Sequence, residues 1–103
     1  MALHVRAERD GTTLHVTVVG ELDAHTAPSV AEVLDPILVD PDLDGVIVDA
    51  SDLSFMDTVG ISEFLRIQRV LAERGAFIRL HRASPSVRKV LDVTGLLETF
   101  GVE

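Results

Sequence analysis

The run Phe55-Met56-Asp57-Thr58-Val59-Gly60 sets a carboxylate beside a hydroxyl just ahead of an apolar-periodic segment. A helix is expected to start near Asp57 or Thr58. The pair then falls at a helix N-terminus, where first-turn amides lack intrahelical partners and the dipole favours negative charge. Thr58 is thereby suited to carry a phosphate without unfolding the helix. Asp57 is placed to orient that hydroxyl or to meet the metal-nucleotide of a docking kinase. Gly60, lacking a side chain, would let a partner approach the first-turn backbone closely. The plainer alternative is that Asp57 or Thr58 is only a helix cap and Gly60 a packing glycine, since Ser, Thr, Asp and Asn are the ordinary caps. Position alone does not choose between the two.

Other chemistries fit poorly. His4, His15, His25 and His81 show no paired ligand spacing, and there is no cysteine, so neither a metal site nor a disulfide framework is expected. No nucleophile elbow or phosphate-cradling glycine loop occurs. Asp57-Thr58-Val59-Gly60 is only superficially similar to the Asp-Thr-Gly of aspartic proteases. Val59 breaks the match, and so short a chain lacks the all-β pattern that such a half-site requires. Asp49, at the end of an apolar strand, invites comparison with a phosphoaspartate receiver. The antiparallel opening and the place of Lys89 inside a predicted helix argue against it. A binding protein without enzymatic activity or cofactor is expected.

The elements that must position Thr58 follow from periodicity. Residues 3–7 and 14–18 alternate apolar and polar side chains around Asp10-Gly11, which predicts an antiparallel hairpin. Thr26 as N-cap and Pro28 in the first turn open a helix, with Val30, Val33, Leu34, Ile37 and Leu38 on one face. Pro36 should kink or shorten it. After the acidic loop 40–45, Val46-Ile47-Val48 reads as a central strand covered on both faces. The second helix should end before Gly75 and turn Ile61, Phe64, Leu65, Gln68, Leu71 and Ala72 inward. Phe77 to Leu80 is a further strand, and Ser84-Pro85 opens a third helix that Gly95 ends, with Val87, Val90 and Leu91 inward. The predicted order is β-β-α-β-α-β-α, an α/β fold with helices packed on the sheet. The loops carrying Asp23 and Asp57 should then open at one end of it, an acidic rim beside Thr58.

Size and charge bound the partners. At 103 residues the chain suits one domain, with 47% hydrophobic and 25% charged residues, as is ordinary for a folded protein. A net charge of −8, with one lysine and eight scattered arginines, opposes nucleic acid and anionic membranes. No apolar run approaches the roughly 20 residues of a membrane span or the core of a signal peptide, which makes cytoplasmic the expectation.

Three segments extend this reading. Gly20-Glu21-Leu22-Asp23-Ala24-His25-Thr26-Ala27-Pro28, Asp49-Ala50-Ser51-Asp52-Leu53-Ser54-Phe55-Met56-Asp57-Thr58-Val59-Gly60 and Val93-Thr94-Gly95-Leu96-Leu97-Glu98-Thr99-Phe100 are found in the chain in that order. They resemble the segment before the first helix, the signature and the usual ending of STAS domains of the anti-sigma factor antagonist type. The resemblance covers nearly the whole chain. It implies a single STAS domain over 1–103, with a mixed, mostly parallel sheet of about four to five strands. It also implies that the unphosphorylated form binds an anti-sigma factor serine/threonine kinase and so releases the sigma factor. Phosphorylation at Thr58 would end that complex, and a PP2C-type phosphatase would reverse it. Asp23, Asp57, Thr58, Val59 and Gly60 would form the partner-binding site. Val59 stands where the family often has a second serine or threonine, which removes an alternative acceptor. Threonine at the acceptor is the less common choice, found in relatives within large stress-signalling assemblies. Members are often monomeric, so a monomer is expected when free. The rival within the same fold is a STAS scaffold that is never phosphorylated, or a small-ligand or nucleotide sensor.

Overall fold

A computed structural model describes residues 2–102. The chain opens with β1 (Leu3–Asp10) and β2 (Thr13–Leu22), an antiparallel hairpin running from Leu3 opposite Gly20 to Asp10 opposite Thr13. Gly11 in the turn has φ +60°, a conformation that glycine adopts without the Cβ penalty. Both strands run longer than the alternation alone suggests.

The following helix, α1 (Ala27–Leu38), packs Ala27, Val30, Leu34 and Leu38 inward. It continues through Pro36 by only two residues, consistent with the amide that proline removes. Next come β3 (Gly45–Ala50), β4 (Leu53–Met56), α2 (Thr58–Ala72), β5 (Phe77–Ala83) and α3 (Pro85–Val93). The five-stranded sheet runs β1-β2-β3-β5, and β4 also pairs with β2. All pairs except the opening hairpin are parallel.

The strand β4 was missing from the expected order, and its origin is local. Residues 13–17 of β2 pair with β3, and residues 20–22 pair with β4 after a shift of register. β3 and β4 therefore lie in succession along one side of β2, interrupted by a turn at Ser51-Asp52. Asp49 holds that turn by accepting from the Ser51 amide at 3.0 Å and the Ser51 hydroxyl at 2.7 Å. Those two bonds, the hydroxyl's foremost, keep the Asp49 carboxyl below its ordinary range.

One face of the sheet carries the core. Leu14, Val16, Val18, Val46, Val48, Ile78 and Leu80 are buried with Phe64 and Ile67 of α2, and Phe100 sets its ring edge-on to Phe64 at 6.1 Å. On the other face His15, Thr17, Val19, Arg79 and His81 are exposed, and Ile47 is only half-buried. The expectation that β3 is covered on both faces is thus corrected, since α1 and α2 share one side. In α2 the inward stripe is Gly60, Ile61, Phe64, Ile67 and Leu71. Leu65 and Gln68 are half-buried and Ala72 is exposed, so the stripe lies about one residue around the helix from the expected one. No helix among the described residues is long and apolar enough to cross a membrane.

Candidate functional site

The end of the sheet at which β2 and β4 finish is built from two matching strand-to-helix turns. Leu22 lies opposite Met56 in parallel register, and the Asp57 amide donates to the Leu22 carbonyl at 3.2 Å. The next residues out, Asp23 and Asp57, therefore leave adjacent strand ends together. Each then caps the turn that follows it.

Asp57 is the N-cap of α2. Its Oδ1 accepts from the amides of Val59 at 3.0 Å and Gly60 at 3.1 Å, and its carbonyl accepts from Ile61 at 3.0 Å. Two first-turn amides expected to be free for a phosphate are thus already occupied, because a carboxylate two or three residues upstream satisfies them first. Thr58 is the first residue of the helix proper and is exposed, and among the described residues no hydrogen bond holds its hydroxyl. Its position leaves Oγ1 free to react while its backbone is fixed.

Asp23 plays the corresponding part before α1. Its Oδ1 accepts from the His25 amide at 2.9 Å and the Thr26 amide at 3.0 Å. The Thr26 amide is the chief cause of a carboxyl held below its ordinary range, with His25 adding to it. The expected N-cap, Thr26, makes no side-chain cap. Its buried hydroxyl donates back to the Glu21 carbonyl at 2.7 Å and accepts the Asp23 amide at 3.0 Å, locking the turn from inside.

Gly60 departs from the expected role. It is buried, and a Cβ there would stand 2.8 Å from Cγ of both Leu22 and Met56. Its missing side chain lets α2 sit down on the ends of β2 and β4, and it offers no backbone to an approaching partner. Val59, by contrast, is 41% exposed. It borders a shallow groove of about 270 Å³ with Ala24, Ala27, Pro28, Ala31 and Glu63.

Sequence reasoning missed that groove and the exposed ring of Phe55, which lies two residues before the cap. The signal for the groove was present in Ala24, Ala27, Pro28 and Ala31, small or rigid residues repeating at helical spacing. Nothing in the spacing marked Phe55 as exposed, since an aromatic in a strand usually packs inward. Among the described residues no cluster of His, Cys, Asp or Glu is arranged to hold a metal ion.

Chemically, this end presents a free hydroxyl on a rigid cap, an acidic rim from Asp23 and Asp57, and an apolar shoulder at Val59. Such a surface suits a docking protein that reaches the hydroxyl.

The chain as a whole is similar to known proteins. Residues 4–103 match the family described as STAS domain. The anti-sigma-B factor antagonist of Listeria monocytogenes is 30% identical over 98 residues, spanning 93% of this chain and 83% of that protein. The fold also resembles an anti-sigma factor antagonist from Mycobacterium paratuberculosis, with a TM-score of 0.85 at 24% identity over 98% of this chain and 85% of that one. The phosphorylated form of the Bacillus cell fate determinant SpoIIAA gives 0.77 at 25% identity, covering 97% and 89%.

Proposed function

The chain belongs to the STAS domain family, and we propose that it is an anti-sigma factor antagonist switched by phosphorylation of Thr58. Unphosphorylated, it binds an anti-sigma factor serine/threonine kinase in the cytoplasm and so frees the sigma factor. Transfer of a phosphoryl group from ATP to Thr58 Oγ1 ends the complex, and a PP2C-type phosphatase restores it. The chain is the substrate in this cycle and not a catalyst.

The observation that carries this reading is an exposed, unbonded Thr58 hydroxyl fixed on the first residue of α2 by the Asp57 cap. Support also comes from relatives named as anti-sigma factor antagonists and from a fold neighbour known in a phosphorylated form. Ser54 and Ser62 are the nearby competitors. Their hydroxyls donate to the carbonyls of Gly20 at 3.0 Å and Thr58 at 2.9 Å, which leaves them less available than Thr58.

Because Asp57 already satisfies the Val59 and Gly60 amides, a phosphate on Thr58 gains little from the helix and remains at the surface. It brings roughly −1.5 to −2 charges to an acidic rim. The fold has no reason to change, whereas a partner surface matched to a neutral hydroxyl meets charge and bulk it cannot accommodate.

Intact-mass analysis after incubation with ATP and the anti-sigma kinase tests the reading. One phosphate on the wild type and none on Thr58→Ala is expected. Undiminished labelling of Thr58→Ala, or mapping of the phosphate to Ser54 or Ser62, overturns it.

A second reading, a never-phosphorylated scaffold or small-ligand sensor, draws support from one feature. A groove of about 670 Å³ lies between the C-terminal halves of α1 and α2, bordered by Leu38, Val39, Val70 and Arg74. A wild-type mass unchanged by the kinase, with a ligand-induced shift in melting temperature, would favour it.

A further inference from the structure

Among the described residues β1 is an open edge of the sheet, since Leu3–Asp10 pairs on one side only, with β2. Such an edge carries a row of amide and carbonyl groups able to accept another strand, and proteins usually blunt it with charge. Here the charges come in an order. His4, Arg6, Glu8 and Asp10 are exposed on the face away from the helices, and Val5 and Ala7 are half-buried on the other. Arg6 and Arg9 are offset by Glu8 and Asp10, so the strand is formally neutral in a chain of net charge −8.

Two copies joined antiparallel through β1, about a two-fold axis normal to the sheet, place one residue opposite its own copy on the axis. Its neighbours then pair symmetrically, and both members of every pair share a face. An axis at Val5 sets His4 against Arg6. An axis at Arg6 or at Glu8 sets that residue against itself. Only an axis at Ala7 sets Arg6 against Glu8, twice, and it brings each Asp10 carboxylate opposite a His4 imidazole, a hydrogen-bonding partner. It also lays the Arg9 stem along Val5 and puts the smallest side chain of the strand at the centre. Opposite charges directly across an antiparallel pair are favourable and like charges unfavourable, so the pattern both permits this register and disfavours its neighbours.

We propose that the protein self-associates through β1, antiparallel and centred on Ala7, into a two-fold dimer with a continuous sheet. This differs from the monomer implied by the sequence resemblance. The Arg6–Glu8 contact within one strand, at 3.2 Å between two largely exposed side chains, re-forms across the axis. The contact is confined to one strand, below the roughly 1,200 Å² of a stable interface, so the dimer is transient and concentration-dependent. Because Leu3 pairs with Gly20 near the Asp23 turn, antiparallel pairing sends the two Thr58 ends in opposite directions. Both remain accessible.

Sedimentation velocity from micromolar to millimolar concentration reads the association directly. Arg6→Glu or Glu8→Arg alone should weaken it about tenfold or more, because each change creates two like-charge pairs per dimer. An equimolar mixture of the two variants, or the double exchange in one chain, should restore it. The chain has no cysteine, so Ala7→Cys can form a disulfide only between copies. Paired Cα atoms lie about 4.5 to 5.5 Å apart, within disulfide reach. Mild oxidation should link Ala7→Cys readily, whereas Asp10→Cys, about 20 Å from its copy in this register, should stay unlinked. A wild type that stays monomeric at millimolar concentration, a mixture no better than its separate variants, or equal linking of Asp10→Cys overturns the proposal.

Discussion

The Asp57 amide donates to the Leu22 carbonyl at 3.2 Å, and this bond ties the start of α2 to the end of β2. Leu22 already faces Met56 in the ladder, so the bond extends the parallel register by one residue and brings Asp23 and Asp57 out side by side. Both carboxylates bond the amides two and three residues ahead, and the two turns are near copies. Thr58 is held at a fixed height above the sheet by covalent connection to one of them.

Asp57 has two separable duties, capping and charge. Asp57→Ala should lower stability by about 1 kcal/mol, the usual cost of a lost N-cap, while Asp57→Asn keeps most of the cap. Urea unfolding measures both. If the carboxylate also meets the kinase or its metal-nucleotide, Asp57→Asn should be phosphorylated much more slowly while melting close to wild type.

Gly60→Ala should destabilise. Its Cβ would lie 2.8 Å from Cγ of Leu22 and of Met56, and the resulting overpacking costs about 1 to 3 kcal/mol against a gain of up to about 1 kcal/mol in helix propensity. A loss of about 1 to 2 kcal/mol in denaturant unfolding is expected. A variant more stable than wild type would show that α2 does not sit on Leu22 and Met56 as described.

Ser84 joins α3 to the short strand β4. Its buried hydroxyl donates to the Leu53 carbonyl at 2.5 Å and accepts from the Val87 amide at 3.3 Å. Ser84→Ala leaves both groups without that partner and should cost about 1 to 3 kcal/mol. Faster hydrogen exchange in residues 53–56 and 85–91 would locate the loss.

Acid sensitivity follows from Asp23. Its carboxyl is lowered from the ordinary 3.8 by the Thr26 and His25 amides. A depressed folded value means stabilisation that is present above the unfolded pKa and lost as pH falls through the folded one. Melting temperature should therefore drop below about pH 4. Asp23→Asn should flatten part of that drop, while Asp40 and Asp49, lowered in the same sense, keep the remainder.

How much of this was legible in sequence depended on the range of the signal. The hairpin, the three helices and the strands β3 and β5 are written in local periodicity, with Ser84-Pro85 and Asp57 as helix starts that the structure retains. β4 carries only four residues, and it exists because β2 is long enough to serve two partners in succession, a property of neither segment alone. Thr26 looked like a cap because its residue type fits. It does stand at the N-cap of α1, but its hydroxyl turns inward to Glu21 and makes no cap, while Asp23 bonds the amides of the turn just before the helix. Gly60 was ambiguous for the same reason, since a glycine in a first turn suits an approaching partner and a close-packed neighbour equally, and only Leu22, distant in sequence, decides.

The most direct measurement is the affinity of the anti-sigma kinase for the unmodified chain and for the chain phosphorylated stoichiometrically at Thr58, with circular dichroism recorded on both. A mispaired charge at an interface costs about 2 to 5 kcal/mol, and each 1.4 kcal/mol is tenfold. Binding should weaken by roughly thirtyfold to several thousandfold, with superimposable spectra, and Thr58→Ala should bind like the unmodified chain. Equal affinity of the two forms, or a phosphorylated chain that has lost its fold, would contradict a switch that acts at the surface of Thr58.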